Sequence, residues 1–345
     1  MKQGIRLTYL LSLLASGLMA QDIHFAQQNL SPITLNPALA GLNTCDYRLY
    51  ANARIQWPTI LGWNVYRTVA AGGDMTLGKL SKINSFAGIG FSFFNDQAGD
   101  LGWMHNRLDV TLAYHFMLNR KGTMSLSAAL QGSFNHRGID ASKATFDTDY
   151  DQNTGTIGNG PKESIGRPNL FFGTVGIGFL WNYNTRQEHN FFTGISFSHL
   201  NQPMISFSPN GQDESISSGE RLYFKTTVHG GGMLRLSNRM ALQPQFMVFI
   251  QGPSTEYNVG LNTRIKLSNL PYQKTFLYLG AAYRILDAVI FNTRLDVKGF
   301  TIAASYDINL SKLAAASRTI GAPEIHLMYQ GCFKRKINKT ICPAL

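Results

Sequence analysis

From residue 46 onward, apolar and polar residues alternate with a period of two, the pattern of strands whose two faces meet different surroundings. Over 46–57 the apolar set is Tyr47, Leu49, Ala51, Ala53, Ile55 and Trp57, interleaved with Arg48, Asn52, Arg54 and Gln56. Over 106–118, Leu108, Val110, Leu112, Tyr114 and Phe116 share one face, and Arg107, Asp109, Thr111 and His115 the other. The alternation returns through 255–267, then twice through 288–310 around a turn at Lys298 and Gly299. Such segments fall at 46–57, 65–77, 85–95, 106–118, 123–134, 168–183, 190–200, 220–236, 239–251, 255–267, 272–285, 288–297, 299–310 and 323–333. Their number is about fourteen, and an even count leaves both termini of a single-chain barrel on one side. The pattern predicts an all-β fold, a transmembrane antiparallel β-barrel.

Link lengths add to this. The long links, 135–167, 201–219 and 311–322, follow odd-numbered segments, whereas 119–122, 237–238 and 268–271 follow even-numbered ones. The tight link at Leu286 and Asp287 is the exception. Long loops at one end and short turns at the other are the asymmetry of outer-membrane barrels. The polar face carries Asn, Ser, Thr, Gly and Arg beside Asp, where bulk water would favour Lys and Glu; this predicts a lumen. Trp57, Trp63 and Trp103 then fall at one boundary, with Trp181 and Tyr183 at the other, as in interfacial aromatic girdles.

Composition sharpens the reading. Of 345 residues 44% are hydrophobic and only 15% charged, against about 25% charged in soluble domains. Beyond residue 20 no run approaches the roughly 20 apolar residues of a spanning helix. The first residues read as a secretory signal peptide: Lys2 and Arg6, an apolar stretch from Leu7 to Ala15, then small residues. Cleavage is expected between Ala20 and Gln21. Loss of Lys2 and Arg6 would lower the formal charge of +11 by two. The expected organisation is a signal at 1–20, a segment at 21–44, a barrel at 45–333 and a basic periplasmic tail at 334–345. The 21–44 segment lacks alternation and contains Pro32 and Pro37; it reads as a hatch entering the barrel or as a periplasmic strap.

Candidate chemistry is sparse. The histidines show no metal-binding or catalytic spacing, and His115, His229 and His326 read as hydrogen-bonding groups on polar strand faces. His229 with Gly230, Gly231 and Gly232 resembles an esterase oxyanion loop, but no G-x-S-x-G elbow accompanies it. Asp147, Asp149, Asp151 and Asn153 alternate as in a calcium loop, yet Gln152 and Gly158 stand where an EF-hand has Gly and Glu. No cofactor is expected. Arg48, Arg54, Arg264, Lys266, Arg294, Asp296 and Asp307 lie on inward faces as a candidate lumen charge cluster. Ion pairing inside the barrel is the first reading and an electropositive lining for an anionic guest the second; no nucleic-acid role is expected. Cys45 begins the first segment and Cys332 ends the last, so a seam disulfide from Cys45 to Cys332 or to Cys342 is expected.

Several strings resemble the PorP/SprF family of type IX secretion membrane proteins. They are DIHFAQ at 22–27, LNPALAG at 35–41 with Asn36, Pro37, Ala38 and Gly41, RIQWP at 54–58, and NDQAG at 95–99. SYDINLSKL at 305–313, EIHL at 324–327, and Cys342 with Pro343 complete the set. The resemblance implies a non-enzymatic outer-membrane component, embedded in lipid and working with type IX secretion components. It implies export and surface attachment of cargo bearing a C-terminal sorting domain, in gliding cells an adhesin. No catalytic residue carries over. Asn36, Pro37 and Ala38 also resemble the hatch string of FadL-like transporters of hydrophobic small molecules, the alternative function.

Overall fold

The fold is taken from a computed structural model, which describes residues 22, 24–56, 66–78, 85–119, 122–144, 150–151, 156–157, 167–185, 189–207, 221–268, 275–311 and 319–333. Fourteen strands close into one antiparallel barrel. They are β1 (Tyr47–Gln56), β2 (Tyr66–Leu77), β3 (Phe86–Ala98), β4 (Trp103–Met117) and β5 (Met124–Gly138). Next come β6 (Asn169–Asn184), β7 (Asn190–Ser198), β8 (Lys225–Arg235), β9 (Met240–Gln251) and β10 (Ser254–Lys266). The last are β11 (Thr275–Arg284), β12 (Ala288–Val297), β13 (Phe300–Asn309) and β14 (Ile320–Gly331). Each strand pairs with its neighbours in sequence, and β1 closes the wall on β14, from Tyr47 opposite Gly331 to Arg54 opposite Glu324. A two-stranded hairpin, Tyr150–Asp151 with Thr156–Ile157, stands apart from the barrel sheet.

Burial is inverted relative to a water-soluble domain. On the outer wall Leu130 is 63% and Phe171 61% exposed, while inside Asp109 and His115 are 0% exposed. Outward apolar and inward polar residues on the same strands fit a wall bathed in lipid, where closure satisfies every backbone group. Among the described residues no helix is long and apolar enough to cross a membrane; the crossing elements are strands.

The fourteen sequence segments and the fourteen strands correspond in order, with differences at the ends. The β3–β4 hairpin continues past the alternation: Asn95 pairs with Asn106, Asp96 with His105 and Gln97 with Met104. Its link is therefore only the turn at 99–102, and β9 meets β10 across Gly252 and Pro253. The physical reason is that ladder bonds need only backbone groups, so pairing runs on beyond the lipid-facing band where alternation is no longer required. The three long links of the pattern remain, between Gly138 and Asn169, Ser198 and Lys225, and Asn309 and Ile320. Trp103 also departs from expectation. It lies on the lumen side, lines a cavity with Leu101, and makes an edge contact with His105. Trp57 and Trp63 lie outside the described residues.

The end carrying 99–102, 199–207 and 285–287 is here the loop end, and the end carrying Cys45 and Lys298 the turn end. A disulfide joins Cys45 to Cys332 at the turn end, beside the β1–β14 closure; Cys342 lies outside the described residues. Alkylation of the denatured, unreduced protein should therefore add one label, and three after reduction. Loss of the crosslink through Cys45→Ser should lower stability by about 2–4 kcal/mol in urea titrations. Three labels before reduction would rule the bond out.

Candidate functional site

Residues 24–44 run through the lumen from the loop end to the turn end. Their short repeated turns follow from local chemistry. Gln28–Leu30 and Pro37–Leu39 are single 3-10 turns, and Pro32–Leu35 is one helical turn. Pro32 and Pro37 each occupy the first turn, where a missing N–H is harmless and φ is already set. Ile33, Leu35, Ala38, Leu39 and Leu42 are buried and pack with Phe86, Leu180, Phe192 and Phe249 of the wall.

Asn36 anchors the middle. Its Oδ1 accepts from Ala38 N at 2.9 Å, capping the second 3-10 turn, while its Nδ2 donates to Phe179 O at 3.0 Å and lies 3.0 Å from His229 Nε2. A Cβ on Gly178 would collide with Asn36 Oδ1 and Pro37, so the wall must be bare there. His115 Nε2 donates to Ala40 O at 2.9 Å, which leaves its Nδ1 to pair with Ser127 Oγ at 2.7 Å. Gly41 has φ +75°, and a Cβ on it would sit 2.6 Å from Gly88 Cα. Asn36, Pro37 and Gly41 of the string are thus pressed against the wall at its glycines.

Two arginines of β1 hold the two ends. Arg48 donates from Nε to Asp74 Oδ1 at 2.8 Å and from Nη2 to Leu39 O at 3.2 Å. Asp74 in turn accepts from Gly41 N at 2.6 Å. Arg54 repeats the device about 20 Å further along the strand, at ~3.3 Å per residue. It donates to His24 O at 3.0 Å and to Asp307 Oδ2 at 3.1 Å, and pairs with Glu324 Oε1 at 2.9 Å. Glu324 accepts from Ala26 N with both oxygens, at 2.9 and 2.8 Å. Arg284 adds a second cation to Asp307 at 3.2 Å. Each arginine therefore links a wall carboxylate to the backbone of the lumen segment.

At the loop end, Asp22 meets His199 Nε2 at 2.6 Å, Arg107 Nη1 at 3.6 Å and Lys225 Nζ at 4.0 Å. Burial alone would push its carboxyl up, but the three neighbours outweigh that and hold its pKa well below the usual carboxylate range. A depressed folded-state pKa stabilises fully above the unfolded value of about 3.9 and loses that contribution as pH falls through the folded value. Intrinsic-rate-corrected hydrogen exchange at residues 24–30 should therefore be flat from neutral pH to about 5 and rise only in strong acid. Asp22→Asn should exchange faster already at neutral pH. Equal protection of the two proteins across the range would remove this anchor from the account.

The expected charge cluster is not a single group. Arg48 and Arg54 are bonded to separate carboxylates, Asp74 and Asp307, at opposite ends of β1. Arg294 and Asp296 pair with each other at 2.9 Å at the turn end, where Arg264 stacks over Phe276 and Lys266 ends β10. Sequence reasoning missed Asp74 as a partner of Arg48 and Asp109 as the acceptor of Arg107, at 2.6 Å. A lone acid at an inward position of each strand was the available signal. His229 and its glycines lie within β8, with His229 against Asn36. Ala20 and Gln21 lie outside the described residues, as do Asp147, Asp149, Asn153 and the basic tail; of Asp151 only the backbone is described.

Two cavities flank the segment. The loop-end one has a volume of about 650 Å³ and is lined by Asp22, His24, Arg54, Asp96, Trp103 and Glu256 among others. The turn-end one is about 350 Å³.

No curated protein matches the chain. Among solved structures it is similar to the Ralstonia pickettii toluene transporter TbuX, at 10% identity and TM-score 0.49, covering 86% of this chain and 92% of that one. The CymD monoaromatic hydrocarbon channel matches at 8% identity and TM-score 0.47, covering 92% and 96%. The beta domain of the Bordetella autotransporter Brka matches at 12% identity and TM-score 0.39, covering 84% and 100%. A family model described as type IX secretion system membrane protein PorP/SprF matches residues 18–329. Closed barrel and family model agree on an outer-membrane protein of secretion, and the chain belongs to the PorP/SprF family of type IX secretion system membrane proteins.

Proposed function

We propose that this protein is a non-enzymatic outer-membrane scaffold of type IX secretion, and that it receives exported cargo through the cargo's C-terminal sorting domain. The observation that carries this reading is the lumen segment, held by Arg48 and Arg54 at its two ends and by Asn36 between them. A lumen occupied in this way leaves little path for a passenger polypeptide. The surfaces available for cargo are then the loop end and its cavity of about 650 Å³. Long loops face outward in such barrels, so the loop end is extracellular, and the segment acts as a closed hatch. Surface adhesins used in gliding are one class of cargo this arrangement suits.

Deletion of the gene in the native host, followed by proteomics of the cell surface, tests the reading. One or more large secreted proteins with a C-terminal sorting domain should disappear from the surface and accumulate inside. An unchanged surface proteome with impaired uptake of a hydrophobic small molecule would instead favour a FadL-like transporter.

A further inference from the structure

Among the described residues, the lining of the turn-end cavity carries more positive than negative charge. Arg264 is in register with Tyr278, and Tyr278 with Arg294, so these three form one row across β10, β11 and β12. The Arg264 guanidinium carbon lies 4.9 Å from the Phe276 ring centroid, and that of Arg294 lies 4.6 Å from the Tyr278 ring. Arg294 is held by Asp296, to which it donates at 2.9 and 3.0 Å. Asp296 also accepts from Thr301 at 2.7 Å. Asp296 is the one carboxylate among the described residues lining the cavity, whereas Arg48, Arg264, Arg294 and Lys298 all line it. Arg48 is taken by Asp74. Arg264 and Lys298 make no ion pair with any described residue.

A guanidinium resting over an aromatic ring is held by the ring's negative face and can still donate its N–H groups to another partner. Arginine grips a planar carboxylate through two parallel hydrogen bonds. Arg264 is half-buried and Lys298 exposed, and without a counter-ion among the described residues they favour a bound anion. We infer that the turn-end cavity is a binding site for a carboxylate side chain of an acidic peptide segment, with Arg264 as its principal contact and Lys298 at its edge. The route of entry selects a peptide over a lipid headgroup. The wall beside the cavity turns Val259, Leu261, Leu279 and Leu295 outward to lipid, so a headgroup cannot reach Arg264 from the side. The way in lies along the barrel axis from the turn end, past Asn43 and Thr44, which line the same cavity. An occupant would therefore also touch the last residues of the lumen segment. The site stands independently of the cargo reading, since it depends only on the turn end.

The test uses the full chain in detergent micelles and a fluorescent hexaglutamate peptide, followed by anisotropy at low and physiological salt. Hexaglutamate should bind and hexaglutamine should not. Arg264→Gln should weaken binding about tenfold or more, the loss expected for a charge-assisted hydrogen-bonded pair. Lys298→Gln should weaken it less, and Arg67→Gln, on the far part of the barrel, should leave it unchanged. Folding of each variant is checked by heat-modifiable mobility on gels. Absence of hexaglutamate binding overturns the proposal, as does wild-type affinity in Arg264→Gln. If Arg264→Gln fails to fold, Lys298→Gln carries the test, and unchanged affinity there overturns it. Displacement of the peptide by inorganic phosphate at lower concentration than by acetate would make this a phosphate site and overturn the peptide assignment.

Discussion

Replacing Arg54 by alanine should destabilise the barrel by about 3–5 kcal/mol, the range for removing one partner of a buried ion pair. Glu324 and Asp307 are each only 1% exposed. Without Arg54, Glu324 keeps His326 and the Ala26 amide, and Asp307 keeps Arg284. The network of two carboxylates would then hold one guanidinium in place of two. The lumen segment would also lose its anchor at His24 O. Urea unfolding of the refolded protein, followed by tryptophan fluorescence and by gel mobility, measures the effect. Arg67→Ala is the control: its contact to Gln97 is exposed, and such surface changes are worth within about 0.5 kcal/mol. Adding Glu324→Gln to Arg54→Ala should recover part of the loss, because it removes the charge left without its cation. An Arg54→Ala protein within 1 kcal/mol of wild type would mean that the network is not what secures this end.

Deleting residues 24–43, with Cys45 retained, should convert a closed barrel into one that conducts ions in planar bilayers. The wall is a closed cylinder without this segment, because every pairing in the barrel sheet is between wall strands. What occupies the lumen is a chain attached by hydrogen bonds and apolar contacts. A milder version is Gly88→Val. A Cβ at Gly88 would land on the backbone oxygen of Ala40, which cannot swing aside as a flexible side chain can. Valine suits the strand itself, so the clash falls on the lumen segment, at about 1–3 kcal/mol of overpacking. Loosening there also strains the Gly41 amide on Asp74. Brief conductance steps are expected for Gly88→Val, sustained ones for the deletion, and none for wild type. A silent deletion protein would show that something other than residues 24–43 closes the lumen.

These two experiments fall on opposite sides of what can be read from sequence. The wall was legible because lipid outside and a polar interior impose one rule on every strand. Tyr47, Leu49, Ala51, Ala53 and Ile55 had to alternate with Arg48, Asn52 and Arg54 whatever their partners were. Where that rule lapses, at the loop end, the reading lapses too: β3 and β4 pair through Asn95 and Asn106, and Trp103 turns inward. The string around Asn36 stood out by resemblance, but its contacts with Phe179 and His229 did not.

The low charge content and period-two alternation were enough for strand number, order and facing, because each is a local consequence of the two environments flanking a wall. Pairing of charges was not local. Arg54 meets Glu324 from the opposite end of the sequence, since closure makes β1 and β14 neighbours. Arg48 meets Asp74 because register sets them side by side on β1 and β2. Arg264 makes no ion pair with a described residue because the inward positions across from it hold Tyr278 and Ala241. Which cations are neutralised and which await a partner follows from register around a closed cylinder, and no count of charges along the chain contains that information.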